Sequence, residues 1–299
     1  MFSLRPANTT NEGKTMHDFW AFLEDGRLSD DCLAEGYEQA GPILRGHLKK
    51  NIAVQHEFLE QRLPPGHKRT EISYGATMCS QTAAPAPWCL IVHDADYPAA
   101  PRALAAAVPA QLAGAPLIWS IALHEKNTSA TPPPPVLAAW ELSGIENVAA
   151  MTVESFLVGL RKFMNSPHLI AQGTGRVLIL GAPAWSKEIY AACNDERAAL
   201  LRQEGPPPRI LLTGTDAKAY HAVLVALHPD ADLHVAQGEE ALPQNMEGAY
   251  AAVLSEKNSA PLRCDTALRL DYEHCGCWIW PELNAAFFLN HSFSLFSKL

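Results

Sequence analysis

The stretch WCLIVHDADYPAAPRALAAAVPAQLAGAPLIWSIALH, residues 88 to 124, decides the fold. Trp88 to Val92 is a short apolar run that stops at a polar turn, His93-Asp94-Ala95-Asp96, as a fully buried strand does. Pro98 to Ala113 then reads as an Ala-rich helix stopped by Gly114, and Leu117 to Leu123 as the next strand. Beyond a loop ending in Pro132 to Pro135, Val136 to Ser143 reads as a second helix ended by Gly144, and Asn147 to Met151 as a third strand. Apolar strands alternating with helices of this length favour a parallel sheet.

Upstream, the first dozen residues are polar, His17 to Glu24 and Asp31 to Arg62 read as helical, and Pro64-Pro65-Gly66 ends that arm. Downstream, a loop over residues 163 to 175 leads to a strand at Arg176 to Leu180 and a helix from Trp185 towards Gln203. Gly205-Pro206-Pro207-Pro208 marks a boundary. After it, Arg209 to Thr213, Ala217 to Leu227 and Leu233 to Ala236 form another strand, helix and strand. Pro281 to Leu299 is aromatic and apolar without a clear period, and is expected to return and pack on the sheets. The expectation is an α/β protein with two Rossmann-like parallel-sheet lobes. Residues 1–65 form a helical arm, 66–204 the first lobe, 205–280 a smaller second lobe and 281–299 the returning segment.

Composition sets outer bounds. With 299 residues, 48% of them hydrophobic, the chain can bury a large core. No apolar run approaches the ~20 residues that span a bilayer, and Met1 to Pro6 lacks the hydrophobic core of a secretion signal, so no membrane association and a cytoplasmic location are expected. Seven scattered cysteines suit a reducing compartment. A formal charge of -9, with no Lys/Arg cluster beyond pairs such as Lys49-Lys50 and Lys68-Arg69, argues against nucleic acid and leaves an uncharged or cationic small ligand.

The order of several short motifs resembles histidinol dehydrogenase, an NAD- and zinc-dependent oxidoreductase that converts an amino alcohol to histidine. Val108-Pro-Ala-Gln-Leu-Ala-Gly114 is similar to that family's Pro-Ala helix with its Ala-Gly stop. Thr131-Pro-Pro-Pro, Val136-Leu-Ala-Ala139 and Leu142-Ser-Gly144 are similar to its proline loop, second helix and turn. Val177 to Gly181 sits where the family has a strand entering Gly-Pro-Gly-Asn, Gly205-Pro206 where it has Gly-Pro-Ser-Glu, and Tyr272-Glu273-His274 resembles its catalytic Pro-Glu-His. The resemblance implies the histidinol-dehydrogenase and aldehyde-dehydrogenase-like fold, NAD and zinc as cofactors, Glu273 activating water and His274 shuttling protons.

The sequence departs from that pattern at the cofactor positions. The family's glycine pair after the first strand is replaced by His93-Asp94-Ala95-Asp96, whose carboxylates would repel a pyrophosphate. Its Gly-Gly-Ala-Gln becomes Thr152-Val153-Glu154-Ser155, and its Gly-Pro-Gly-Asn becomes Gly181-Ala182-Pro183-Ala184. His93, Asp94, Ser155, Gly181 and Ala184 are therefore degenerate positions of the implied NAD site. Of the implied zinc ligands only His228 corresponds, and tetrahedral zinc needs about four. A second metal candidate joins His274, Cys275 and Cys277, with Cys264, because Cys-x-Cys sets two thiolates on one face of a strand; buried free thiols are the plainer reading. Asp271 is placed to pair with His274. His93, Asp94 and Asp96 could offer oxygens to a hard cation or serve as turn residues.

Two readings follow: a divergent histidinol-dehydrogenase-like protein that has lost its NAD and zinc chemistry and binds a small molecule or protein in the interlobe cleft, or an active NAD(P)-linked alcohol or aldehyde oxidoreductase using Glu273 and His274. A cleft filled by Trp185 or by the Asp94 loop favours the first. The family's C-terminally intertwined dimer is not assumed for this chain, and a smaller homodimer through the N-terminal helices is the alternative.

Overall fold

A computed structural model describes residues 14–60, 68–75, 77–126, 131–166, 174–193, 200–236, 251–256 and 268–297. Three helices lead the chain: α1 (Lys14–Asp25), α2 (Asp30–Gln39) and α3 (Pro42–Glu60). The helical run expected from Asp31 to Arg62 is thus two helices. Gly41 adopts φ 71, in the left-handed region, and Pro42 has no N–H to continue the ladder.

A strand pair that the sequence reading missed follows: β1 (Lys68–Tyr74) and β2 (Thr77–Pro85), antiparallel, with Tyr74 opposite Thr77. Next come β3 (Cys89–Asp94), α4 (Ala100–Leu112), β4 (Ile118–His124), α5 (Pro134–Ser143), β5 (Val148–Thr152), α6 (Val153–Met164), β6 (Arg176–Ile179), α7 (Ser186–Cys193) and β7 (Leu200–Gln203). The helix expected from Trp185 towards Gln203 ends at Cys193, and Leu200–Gln203 is instead the edge strand beside β6. These five strands form one parallel sheet in the order β5-β4-β3-β6-β7. Strand β3 is central and packed on both faces: Cys89 and Ile91 enter one core, Leu90 and Val92 the other. A doubly covered strand has no polar side, which is why the run from Trp88 does not alternate.

The second lobe holds β8 (Arg209–Leu212), α8 (Ala217–Leu227), β9 (Asp232–Val235), β10 (Ala252–Ser255) and β11 (Leu268–Asp271). Its sheet is also parallel, in the order β11-β10-β8-β9. Short 3-10 turns span Tyr272–His274 and Ala285–Phe288 before β12 (Leu289–Ser297). Ala285 and Phe288 belong to the same buried cluster as α4 and α5. Beyond them the chain becomes a strand that pairs antiparallel with β2, completing a third sheet in the order β1-β2-β12.

Helix α4 explains the alanines. Every residue from Ala100 to Ala110 is buried; Ala103, Leu104, Ala106 and Ala107 face the first core while Ala105 belongs to the core of the second lobe. Small side chains let one helix lie between two lobes at close-packed distance. The segment that enters β12 is fixed by Arg176, which is almost fully buried and, among the described residues, bonds no carboxylate. Its guanidinium donates to the carbonyls of Phe287, Leu289, Thr174 and Gly175 and to Asn290 Oδ1. Burial lowers its pKa to about 10, and five neutral acceptors hold the charge in place.

Candidate functional site

In an open parallel sheet, ligands enter where strand order reverses, between the carboxyl ends of two strands whose connections leave in opposite directions. Here that point lies between β3 and β6. On one side stand His93 and Asp94; on the other, Leu180 and Gly181. His93 is wholly buried. Its Nδ1 lies 2.8 Å from the Asp94 carbonyl and its Nε2 3.0 Å from Ser120 Oγ, so a neutral ring can donate to the first and accept from the second. Burial lowers its pKa to about 4.

The crevice itself is filled. Trp185, at the start of α7 and 7% exposed, donates its indole Nε1–H to Asp94 Oδ1 at 2.7 Å. Burial raises the Asp94 pKa, and the indole bond pulls against it. Gly181, with φ 77, turns its N–H towards Glu204 Oε2 at 2.7 Å, and Tyr97 lies against it. Ala184 is exposed on the adjoining turn. Ser155 acts in helix capping: its N–H reaches Thr152 Oγ1 at 3.3 Å and the two hydroxyls are 2.9 Å apart. A dinucleotide laid across the carboxyl ends of β3 and β6 would meet an indole and a carboxylate, so these residues do not fit NAD in that position.

The equivalent point of the second lobe, between β8 and β10, is filled by Glu256. Its carboxylate accepts from the Thr215 N–H and hydroxyl, both at 2.6 Å, at the N-terminal end of α8. These bonds lower the Glu256 pKa, as expected for a carboxylate in a nest of donors.

Between the lobes runs a buried ionic cluster absent from the sequence reading. Arg102 of α4 donates to Glu204 Oε1 at 2.5 Å and to both oxygens of Asp230, and Tyr97 donates to Glu204 Oε2 at 2.9 Å. Arg102 and Glu204 are nearly inaccessible; Asp230, from the second lobe, is partly open. Burial raises the Glu204 pKa, against Arg102 and the bonds from Gly181 and Tyr97. The signal for this cluster was one arginine amid the alanines of α4, since a cation in an apolar helix needs a partner.

His228 lies against this cluster. It is buried, its ring centroid 5.3 Å from that of Trp278, and its pKa is lowered to about 3 by burial and by Arg102. A cation beside it opposes a metal. Asp271 Oδ1 meets His274 Nδ1 at 2.6 Å and also accepts from the His274 backbone N–H. Glu273 is exposed, and its carbonyl accepts from Lys50 Nζ at 2.7 Å. Cys275 and Cys277 are buried thiols whose pKa values burial raises to about 11, with Cys275 Sγ 3.8 Å from His47 Nδ1. Among the described residues no three His, Cys, Asp or Glu side chains gather to hold a metal ion, and Cys264 lies outside those residues. The described residues do not fit the implied zinc site.

Open space lies elsewhere. A cavity of about 400 Å³ opens over the carboxyl ends of β3 and β4, lined by Cys32, Glu35 and Gln39 of α2, Ala95 and Asp96, and the Pro132 to Pro134 turn. Another, of about 390 Å³ and mostly apolar, separates Ile43, Leu44 and His47 of α3 from Val223 and Ala226 of α8.

No protein-family model matches this chain, and no curated protein matches it. Solved structures do. The crystal structure of histidinol dehydrogenase from Elizabethkingia anophelis aligns with 98% of this chain and 86% of that one, at 10% identity and a TM-score of 0.53. An NAD-dependent benzaldehyde dehydrogenase from Corynebacterium glutamicum covers 96% of this chain and 85% of its own, at 8% identity and TM-score 0.47, too low to bear on the comparison. At 10% identity the first likeness speaks to architecture alone: this chain has the fold of histidinol dehydrogenase.

Proposed function

We propose that this chain is a binding protein on a dehydrogenase scaffold, one that has given up NAD- and zinc-dependent oxidation. The observation that carries this reading is the Trp185 indole seated on Asp94 at the crevice between β3 and β6. The same crevice lacks the glycines that let backbone approach a pyrophosphate, and Asp94 and Asp96 add negative charge. The ligand is a small uncharged or cationic molecule held in the cavity of about 400 Å³ beside Ala95 and Asp96, between the arm and the first lobe. Glu35 and Asp96 give that cavity its preference for a cation such as an amine.

Thermal-shift titrations of the purified chain with NAD, NADP, zinc and histidinol test the loss of dehydrogenase ligands. A ligand at 100 times its Kd stabilises by about 2.7 kcal/mol, and none of the four is expected to do so. A panel of small primary amines follows, repeated with Asp96→Asn, which should weaken any shift they produce. A second reading, an oxidoreductase acting through Glu273 and His274, draws on the Asp271 and His274 pair at 2.6 Å, the arrangement that orients a general base. A clear shift with a dinucleotide, joined to NAD-linked turnover lost in Glu273→Gln, would establish that reading and sink the first.

A further inference from the structure

The cavity between α3 and α8 is a second site, which the proposed binding function does not use. At about 390 Å³ it is of the size that small molecules occupy. One wall comes from the arm, through Ile43 and Leu44; the other comes from the second lobe, through Val223 and Ala226. No Lys, Arg, Asp or Glu is among the described residues that line it. Ile43 is nevertheless 72% exposed, so a β-branched side chain is left in water beside an apolar cavity, as happens at ligand-binding grooves.

The one polar side chain in that lining is His47, and its ring is held in place. A Cβ built at Gly276 would stand 2.6 Å from His47 Cβ and 3.1 Å from Nδ1, so only glycine lets the imidazole lie against this backbone. Nδ1 is 3.8 Å from Cys275 Sγ. Burial raises the Cys275 pKa to about 11, so the sulfur keeps its proton; burial and the charge of Lys50 lower the His47 pKa, so the ring is neutral. An S–H facing a neutral imidazole donates to Nδ1, which assigns the ring proton to Nε2. Among the described residues Nε2 has no hydrogen-bond partner. Lys50 is engaged elsewhere, its Nζ donating to the Glu273 carbonyl at 2.7 Å.

We propose that this cavity binds an uncharged small molecule with an apolar body and one acceptor oxygen, such as a medium-chain ketone, the oxygen accepting from His47 Nε2 and the body lying between Leu44 and Val223. Apolar walls supply the affinity, and a single placed donor supplies the orientation. A carboxylate of the same length is refused, because no lining side chain would neutralise it. An alkylammonium is refused as well, since Nε2–H offers a donor where an ammonium needs an acceptor. The site therefore selects against charge, whereas the cavity beside Asp96 selects for a cation, and neither depends on the other.

Isothermal titration calorimetry of the full chain with methyl heptyl ketone, and with nonanoate and nonylamine as controls of matched length, tests the assignment. The expected result is saturable binding of the ketone, with both ions at least about tenfold weaker. His47→Phe keeps a flat apolar side chain but removes the donor, so ketone affinity should fall about three- to tenfold. Ala226→Trp, on an exposed part of α8, fills the cavity and should abolish binding; its melting temperature should match that of the parent, which separates a blocked site from a lost fold. A parent chain that binds no ketone, or that binds either ion as well as the ketone, would overturn the proposal. So would ketone affinity that is unchanged in His47→Phe or in Ala226→Trp.

Discussion

Arg102→Met should cost the fold about 3–5 kcal/mol at pH 7, the cost of breaking a buried ion pair by removing one partner. Methionine keeps the apolar stem packed in α4 but strips the positive charge from Glu204, whose side chain is 4% exposed, and from Asp230, at 23%. Asp230 can turn towards water; Glu204 cannot, and keeps only the bonds from Tyr97 and Gly181. The pH dependence has a defined sign. Burial already raises the Glu204 pKa, and removing Arg102 removes the strongest opposing influence, so in the variant the folded-state value moves further above the unfolded value of about 4.3. Stability from such a group is present at low pH and lost as pH rises through the folded pKa, so the penalty of Arg102→Met should shrink between pH 8 and pH 5. Urea denaturation across that range measures it. Adding Glu204→Gln, which keeps an acceptor for Tyr97 and Gly181 without the charge, should recover roughly 1–3 kcal/mol. A single variant that costs under 1 kcal/mol, a double variant no better than the single, or a penalty that grows on acidification would each refute this account.

Trp185→Phe should lose the bond to Asp94 and cost about 1.5–3 kcal/mol, while Trp185→Ala should also open the crevice and cost about 3–5 kcal/mol; equal losses in denaturant midpoint would mean that the indole bond contributes little. His93 and His228 are buried neutral, with pKa values lowered to about 4 and about 3, so the unfolded chain binds protons that the folded chain refuses. Stability should therefore fall as pH drops below about 6.5, and Ser120→Ala, which removes the hydroxyl held by His93 Nε2, should lower stability at neutral pH without reversing that slope in thermal melts from pH 7 to pH 5.

The alternation of apolar runs and helices was legible because it is local. Trp88 to Val92 is apolar throughout since β3 is covered on both faces, and the alanines of α4 follow from its place between two lobes. Residues 68 to 85 carry no clear strand signal, because β1 is largely exposed and β2 only half-buried, so their pattern has no strong apolar side. The strand at Leu289 to Ser297 is hidden for a related reason: beyond the buried Leu289 its apolar residues are exposed instead of marking a core face.

At the candidate site, the sequence by itself determined the residue types: Asp94 and Asp96 follow the first strand where the resemblance implies glycines, and His228 alone stands where it implies several zinc ligands. Only the tertiary structure decided what took their place. The bond from Trp185 to Asp94 joins residues 91 positions apart, and the salt bridge from Arg102 to Asp230 spans 128. Long-range partners like these are selected by the packing of whole lobes, and no local periodicity records them. The sequence thus carried the elements, while closure of the sheets set an indole in one crevice, a glutamate in the other and an arginine between the lobes.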